Sequence, residues 1–134
     1  MKTLSEILSP LDSVIELECD GMTRLISGIL QDAGVVHFIS TGYVELNGRT
    51  VAPHYWITLK DGSYIDYRLR MWLGESDDIP HGLFDSVDYN VTYVSDIIRR
   101  PDSSDSAIAE LLAFTTGVDI KKYAQDISDE WSGT

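Results

Sequence analysis

The chain has 134 residues, 43% of them hydrophobic, and a net charge of -12 from 22 acidic and 10 basic side chains. Its length suits a single domain over residues 1–134, and its hydrophobic content suits a buried core. The negative charge disfavours nucleic acids and anionic membrane surfaces as partners, and no apolar run approaches the roughly 18 residues that span a bilayer.

Helices are predicted for the N-terminal part of the chain. Apolar side chains recur at helical spacing in residues 3–18, where Pro10 divides one short helix from the next turn. A longer helix begins near Cys19 and stops at Gly34. Asp20 is its candidate N-cap, or else a favourable partner for the positive end of the helix dipole. The apolar face of this helix comprises Met22, Leu25, Ile26, Ile29, Leu30 and Ala33.

An antiparallel meander is predicted for the middle of the chain. Residues 35–44 and 51–59 are rich in β-branched and aromatic side chains, and the Asn47-Gly48 pair between them is a strong tight-turn signal. A short turn at Lys60-Asp61-Gly62 leads into a third strand over residues 64–69. These three strands follow the helices in the chain.

The last part of the chain returns to helix. Residues 74–88 are loop-like and residues 90–94 form another candidate strand. Ser103 or Ser104 is a candidate cap for the next helix, and residues 119–127 are predicted to form the last one. Helices, then a meander, then helices indicate an α+β fold rather than alternating βαβ units.

Three side chains have the chemistry of a thiol enzyme. Such an enzyme needs a thiolate, an imidazole that moves its proton, and a group that orients the imidazole. Cys19 lies at a predicted helix N-terminus, where the dipole favours the thiolate. His54 and Asp66 lie on neighbouring predicted strands, so Asp66 can hold one ring nitrogen of His54 while the other faces Cys19.

The hairpin between these strands gives the triad a geometric condition. With a three-residue loop at Lys60-Asp61-Gly62, Thr58 lies opposite Tyr64, and Asp66 is diagonal to His54 on one face. A two-residue loop would turn Asp66 to the other face. The triad therefore predicts the three-residue loop, or an equivalent one-residue shift, with its glycine in the left-handed conformation.

The same stretch carries a series of family-like elements. A cysteine-led helix is followed in order by Gly34-Val35, Gly42-Tyr43-Val44, His54-Tyr55-Trp56, Asp61-Gly62 and Ile65-Asp66. In order and approximate spacing this series resembles the transglutaminase-like branch of the papain-like cysteine protease superfamily. The resemblance implies a catalytic-cysteine helix packed on the antiparallel meander. It also implies Cys19 as the nucleophile, His54 as base and then acid, and Asp66 as the residue that orients His54.

The resemblance implies hydrolysis or acyl transfer at an amide or thioester bond, as in a peptidase, a deamidase or a transglutaminase, without a cofactor. We expect a protein or peptide substrate. The negative charge of the chain either attracts a basic substrate or only keeps the protein soluble. Candidate substrate-binding residues are Trp56, Trp72 and His81. For each tryptophan the alternative is a side chain packed in the core. His81 lies in a predicted loop, where it can line a substrate cleft.

Other interpretations of the sequence stay open. Cys19 can be a buried structural thiol, and the protein can be a non-enzymatic acidic binding or inhibitor protein with a degenerate site. His37, in an apolar strand, is expected to be a packed, hydrogen-bonded histidine. One cysteine and three scattered histidines give no zinc spacing, so no metal is expected. The lone thiol and the lack of a signal peptide predict a cytoplasmic protein, in its own cell or delivered to the cytosol of another.

Overall fold

The computed structural model describes residues 2–131 and has the predicted α+β class. It contains five α-helices, two short 3-10 helices and one five-stranded sheet of order β4-β3-β2-β1-β5, in which every neighbouring pair is antiparallel. The helices are α1 (Leu4–Leu8), α2 (Cys19–Asp32), α3 (Leu69–Leu73), α4 (Ser103–Thr116) and α5 (Ile120–Glu130), with 3-10 helices at Ser9–Ser13 and Ser86–Asp88. The strands are β1 (His37–Leu46), β2 (Arg49–Leu59), β3 (Tyr64–Asp66), β4 (Gly82–Phe84) and β5 (Thr92–Arg99).

Helix α2 begins at Cys19, as its apolar stripe predicts. The helix stops where Gly34 adopts a left-handed φ of 74°. The N-cap is Glu18, which makes no capping hydrogen bond with its side chain. Asp20 as N-cap is therefore wrong: it lies inside the first turn, where its Oδ1 accepts the Gly21 N–H at 2.7 Å. The carboxylate still faces the positive end of the helix dipole.

The β1–β2 hairpin turns at Asn47-Gly48, as predicted, with φ values of 50° and 77° at the two residues. Two positive φ values are the requirement of the tight turn whose twist matches the flanking strands. The β2–β3 connection is the predicted three-residue loop, because Thr58 pairs with Tyr64 and Ile57 with Ile65. Gly62 has a φ of 90°, so the loop glycine also has the expected conformation.

The chain beyond β3 departs from the sequence predictions. The third strand ends at Asp66, and Leu69–Leu73 forms α3, because Leu69 and Leu73, four residues apart on one helix face, are both buried. Strand β4 lies inside the stretch predicted as loop; three residues are too short to show a period. Strand β5 runs past the predicted 90–94 to Arg99.

Helix α4 has a different N-cap from the predicted serines. Asp102 precedes the helix in extended conformation, and its side chain accepts the N–H groups of Ser104 and Asp105. Ser103 and Ser104 are already inside the helix, so their predicted capping role is wrong. The last helix has its N-cap at Asp119 and runs to Glu130, three residues beyond its predicted end.

Two clusters of buried apolar residues lie on opposite faces of the sheet. Helix α2 packs through Leu25, Ile29 and its other apolar residues against the cluster that includes Ile57. Trp56 belongs to the second cluster, since neighbouring residues of a strand point to opposite faces. This second face also carries His54, two positions before Trp56. Within residues 2–131, no helix is both long and apolar enough to cross a bilayer.

Candidate functional site

Cys19 is the first residue of α2 and carries a partly exposed free thiol. The helix is fourteen residues long and firmly packed, since Leu25 and Ile29 have no exposed surface. The first N–H groups of a helix have no acceptor within it, and the dipole places partial positive charge there. Helix N-termini with these two features are favourable surroundings for negative charge in general.

His54 and Asp66 form a buried ion pair. The distance from His54 Nε2 to Asp66 Oδ2 is 2.7 Å, and the exposed fractions of the two residues are 0% and 3%. The three-residue loop produces this contact because it places both residues on the same face of the sheet. Since an ionised carboxylate only accepts hydrogen bonds, Nε2 of His54 donates. The orientation of the imidazole is thereby fixed.

The Asp66 carboxylate accepts two further hydrogen bonds. The hydroxyl of Tyr93, on β5, donates to Oδ2 at 2.8 Å, and the backbone N–H of Arg68 donates to Oδ1 at 3.0 Å. Burial, and then the charge of Asp66, raise the pKa of Tyr93 far above its usual range, so the phenol stays neutral and remains a donor. Tyr93 is not among the residues that the sequence predicts for the site, because no local motif marks it.

The second ring nitrogen of His54, Nδ1, is buried and makes no hydrogen bond to any atom of residues 2–131. Burial lowers the pKa of His54, but the charge of Asp66, its hydrogen bond and the neighbouring Cys19 thiol raise it to about 9. His54 is therefore an imidazolium at neutral pH. Because Nε2 is bonded to Asp66, Nδ1–H is the ring donor that remains available to the neighbouring Cys19 thiol.

The three candidate substrate-binding residues differ in burial and in their contacts. Trp56 is completely buried and stacks on His54, with 6.1 Å between ring centroids and 26° between planes, which favours its core alternative. Trp72 lies on α3 with 51% of its surface exposed. His81 Nε2 lies 3.0 Å from Asp12 Oδ2. Asp12 is not one of the three predicted catalytic residues. Substrate binding by Trp72 and His81 stays a prediction.

His37 is the packed, hydrogen-bonded histidine that the sequence predicts. It is 2% exposed. Its Nδ1 lies 2.8 Å from the Val35 carbonyl oxygen, and its Nε2 lies 2.8 Å from Ser27 Oγ. Burial lowers its pKa, because neither neutral partner offsets the loss of hydration. His37 is thus an ordinary core residue, with both ring nitrogens hydrogen-bonded.

One groove lies away from this site. It has a volume of about 920 Å³ and is formed by the end of α2, the β2–β3 loop and the end of α5. Its lining includes Val35, Leu59, Ile127 and Trp131, none of which belongs to the triad. Among residues 2–131, no group of three or more His, Cys, Asp or Glu side chains is arranged to hold a metal ion.

Comparison with known proteins identifies no significant match to the chain. No protein-family model matches the chain, and no curated protein or solved structure matches it significantly.

Proposed function

We propose that the protein is a thiol-dependent hydrolase or acyl transferase of the transglutaminase/papain-like kind, acting on an amide or thioester bond. The observation that carries the proposal is the His54 imidazole, held by Asp66 at 2.7 Å through Nε2, with the Cys19 thiol at the start of α2 near enough to raise the pKa of the ring. This arrangement supplies the nucleophile, the proton carrier and the orienting carboxylate.

The geometry supports a two-step reaction. The Cys19 thiolate attacks the carbonyl carbon, and His54 Nδ1–H gives its proton to the leaving amine or thiol as the substrate bond breaks. The neutral imidazole then takes a proton from the attacking water or amine. The second tetrahedral intermediate expels the thiolate, which restores the thiolate–imidazolium pair. Water gives hydrolysis and an amine gives acyl transfer.

The oxyanion that forms in each step needs hydrogen-bond donors. The backbone N–H of Cys19 belongs to the first turn of α2, where N–H groups have no acceptor within the helix. It therefore supplies one donor, and the dipole adds favourable charge. No glutamine stands just before Cys19 in the sequence, so the second donor comes from another part of the site or from backbone.

A non-enzymatic acidic binding or inhibitor protein is the second candidate. It is favoured by the complete burial of His54 and by the groove lined by Val35, Leu59, Ile127 and Trp131, which lies away from the three predicted catalytic residues. In that case the thiolate–imidazolium pair persists without turnover, and a partner binds stoichiometrically. A Cys19→Ser variant would then bind the partner as tightly as the parent.

The reactivity of the thiol tests the first part of the proposal. Because Cys19 is the only cysteine, its alkylation by iodoacetamide can be followed by intact mass from pH 5 to 9. At pH 6 we expect the folded protein to react about tenfold to hundredfold faster than the chain unfolded in urea, where the thiol has an ordinary pKa. His54→Gln should remove this advantage. His37→Gln, at the other buried histidine, should keep it.

Equal alkylation rates for the folded and unfolded chains at pH 6 would argue against an activated thiol. Turnover is tested separately with a peptide library, by following release of amine or ammonia. Cleavage or deamidation that disappears in Cys19→Ala supports the enzyme, whereas activity that survives in a folded Cys19→Ala protein excludes Cys19 as its nucleophile.

A further inference from the structure

Arg68 is a buried arginine with all of its donors in use. It is 4% exposed, and a guanidinium has five N–H donors in a fixed plane. Each donor has an acceptor in the structure. Nε donates to the Leu17 carbonyl at 2.6 Å, Nη1 to Asp12 Oδ1 at 2.9 Å and to the Tyr67 carbonyl at 2.8 Å, and Nη2 to the carbonyls of Asp12 at 3.2 Å and Val14 at 2.8 Å.

Four of these five acceptors lie in residues 12–17, the segment that leads into Cys19. The segment leaves its 3-10 helix at Ser13 and is irregular up to Glu18. Ile15 is 79% exposed, whereas Leu17 is buried in the core and Val14 packs against it. The hydrogen bonds of the Arg68 side chain add to this packing and fix the backbone carbonyls of the segment up to two residues before Cys19.

The backbone of the same residue reaches the other half of the site. The N–H of Arg68 donates to Asp66 Oδ1 at 3.0 Å, and Asp66 holds His54 through its other oxygen. Arg68 is thus bonded at one end to the carboxylate that orients the imidazole and at the other to the segment that ends at Cys19.

We propose that Arg68 is a positioning residue that keeps the Cys19 end of α2 in register with the His54–Asp66 pair. This inference rests on the proposed function. A lysine in its place has three donors on a flexible stem and cannot reproduce the planar set. A displacement of about 1 Å between reacting groups is enough to slow a reaction severely.

A purely structural role is the competing explanation, and the test separates the two. The variants are Arg68→Lys and, as a matched control, Arg70→Lys. Arg70 donates to the Ile79 carbonyl at 3.0 Å and lies 4.0 Å from Glu75, and neither partner belongs to residues 12–19. For each folded variant, shown by circular dichroism, the iodoacetamide rate at Cys19 is measured from pH 5 to 9.

For Arg68→Lys we expect the rate at pH 6 to fall about tenfold and the pH profile to move toward that of an ordinary thiol, near pH 8.5. Arg70→Lys should keep the parent's rate and profile even if it melts at a lower temperature. A folded Arg68→Lys protein with the parent's rate and profile overturns the inference.

If Arg68→Lys does not fold, Asp12→Ala decides, because the Asp12 side chain is 45% exposed and its loss removes one of the five hydrogen bonds. A smaller shift in the same direction supports the inference, and an unchanged profile overturns it. Measurements on the parent protein distinguish a failure of the proposed function from a failure of the role proposed for Arg68. An ordinary thiol in the parent defeats the proposed function, whereas a reactive parent with an unchanged Arg68→Lys variant defeats only the role of Arg68.

Discussion

The molecule contains two buried histidines on adjacent strands, and their surroundings give them opposite properties. His37, on β1, is bonded to Ser27 and to a backbone carbonyl, and burial lowers its pKa. His54, on β2, is equally buried, yet the charge of Asp66 outweighs the burial and raises its pKa to about 9. One histidine is neutral and structural, and the other is a cation next to a thiol.

Burial by itself therefore does not mark a functional histidine. Removing an imidazole from water disfavours its charged form whatever its role. The partner decides the outcome: a hydroxyl and a carbonyl satisfy a neutral ring, while a carboxylate stabilises the imidazolium. At His54, one buried carboxylate at 2.7 Å is enough to outweigh the effect of burial on the pKa.

The largest expected effect comes from making the His54 environment resemble that of His37. Asp66→Asn replaces the charged partner with a neutral one, so burial should take the pKa of His54 from about 9 to below its ordinary 6.5. The measurement is an NMR titration of both imidazoles in the folded variant, with His37 as the internal reference. A His54 ring still protonated at pH 8 would show that Asp66 is not the source of its charge.

The second prediction concerns stability and pH. The folded pKa of His54, about 9, lies above its unfolded value of 6.5. The imidazolium therefore stabilises the fold fully below pH 6.5, and this contribution, about 3 kcal/mol at most, is lost as the pH rises to 9. His37 acts in the opposite sense: because its folded pKa is lowered, its contribution is present above pH 6.5 and is lost on acidification.

Urea unfolding at pH 6.5 and pH 9 measures the first of these contributions. The parent should lose stability between the two pH values, and Asp66→Asn should lose much less, because its His54 is neutral at both. Parallel losses in the two proteins would mean that another group causes the decline. The lower pH is set at 6.5 so that protonation of His37 contributes little.

The sequence predicted the contact between His54 and Asp66 because local patterns determine it. The apolar stripe of α2 gives the helix start at Cys19, and the glycine of the Lys60-Asp61-Gly62 loop gives the register of the hairpin. Once that register is known, alternation along the strands places both side chains on one face. These features depend only on residues close together in the chain.

The supporting residues of the site could not be predicted in this way. Tyr93 donates to a carboxylate 27 residues away in the chain, and the Nε of Arg68 donates to a carbonyl 51 residues away. Such contacts depend on how the sheet and the N-terminal segment pack, and no local period records that. The Asp102 cap could have been predicted from the sequence. Asp102 and Asp105 have the spacing of a capping box, with an acidic residue at the third helical position.

The third prediction tests the structural histidine. Ser27→Ala removes the hydroxyl bonded to His37 Nε2 and leaves a buried nitrogen without a partner, at a cost of about 2 kcal/mol. The free energy of unfolding in urea measures this cost. The alkylation rate of Cys19 at pH 6 should stay at the parent's value, because the hydrogen bonds of His37 with Ser27 and Val35 involve none of the three predicted catalytic residues. A change in that rate would link the two histidines, which the structure gives no reason to expect.

We expect the smallest change at Tyr93, which is linked to His54 through the Asp66 carboxylate. Tyr93→Phe removes the hydroxyl that donates to Asp66 Oδ2 and keeps the ring, which packs edge-on to Trp56 at 4.9 Å between centroids. We expect a loss of about 1 kcal/mol in urea unfolding, because the carboxylate keeps its bonds to His54 and to the Arg68 N–H. The imidazolium signal of His54 should persist at pH 8, in contrast to Asp66→Asn. If Tyr93→Phe also neutralised His54, the phenol rather than the charge of Asp66 would distinguish the two histidines.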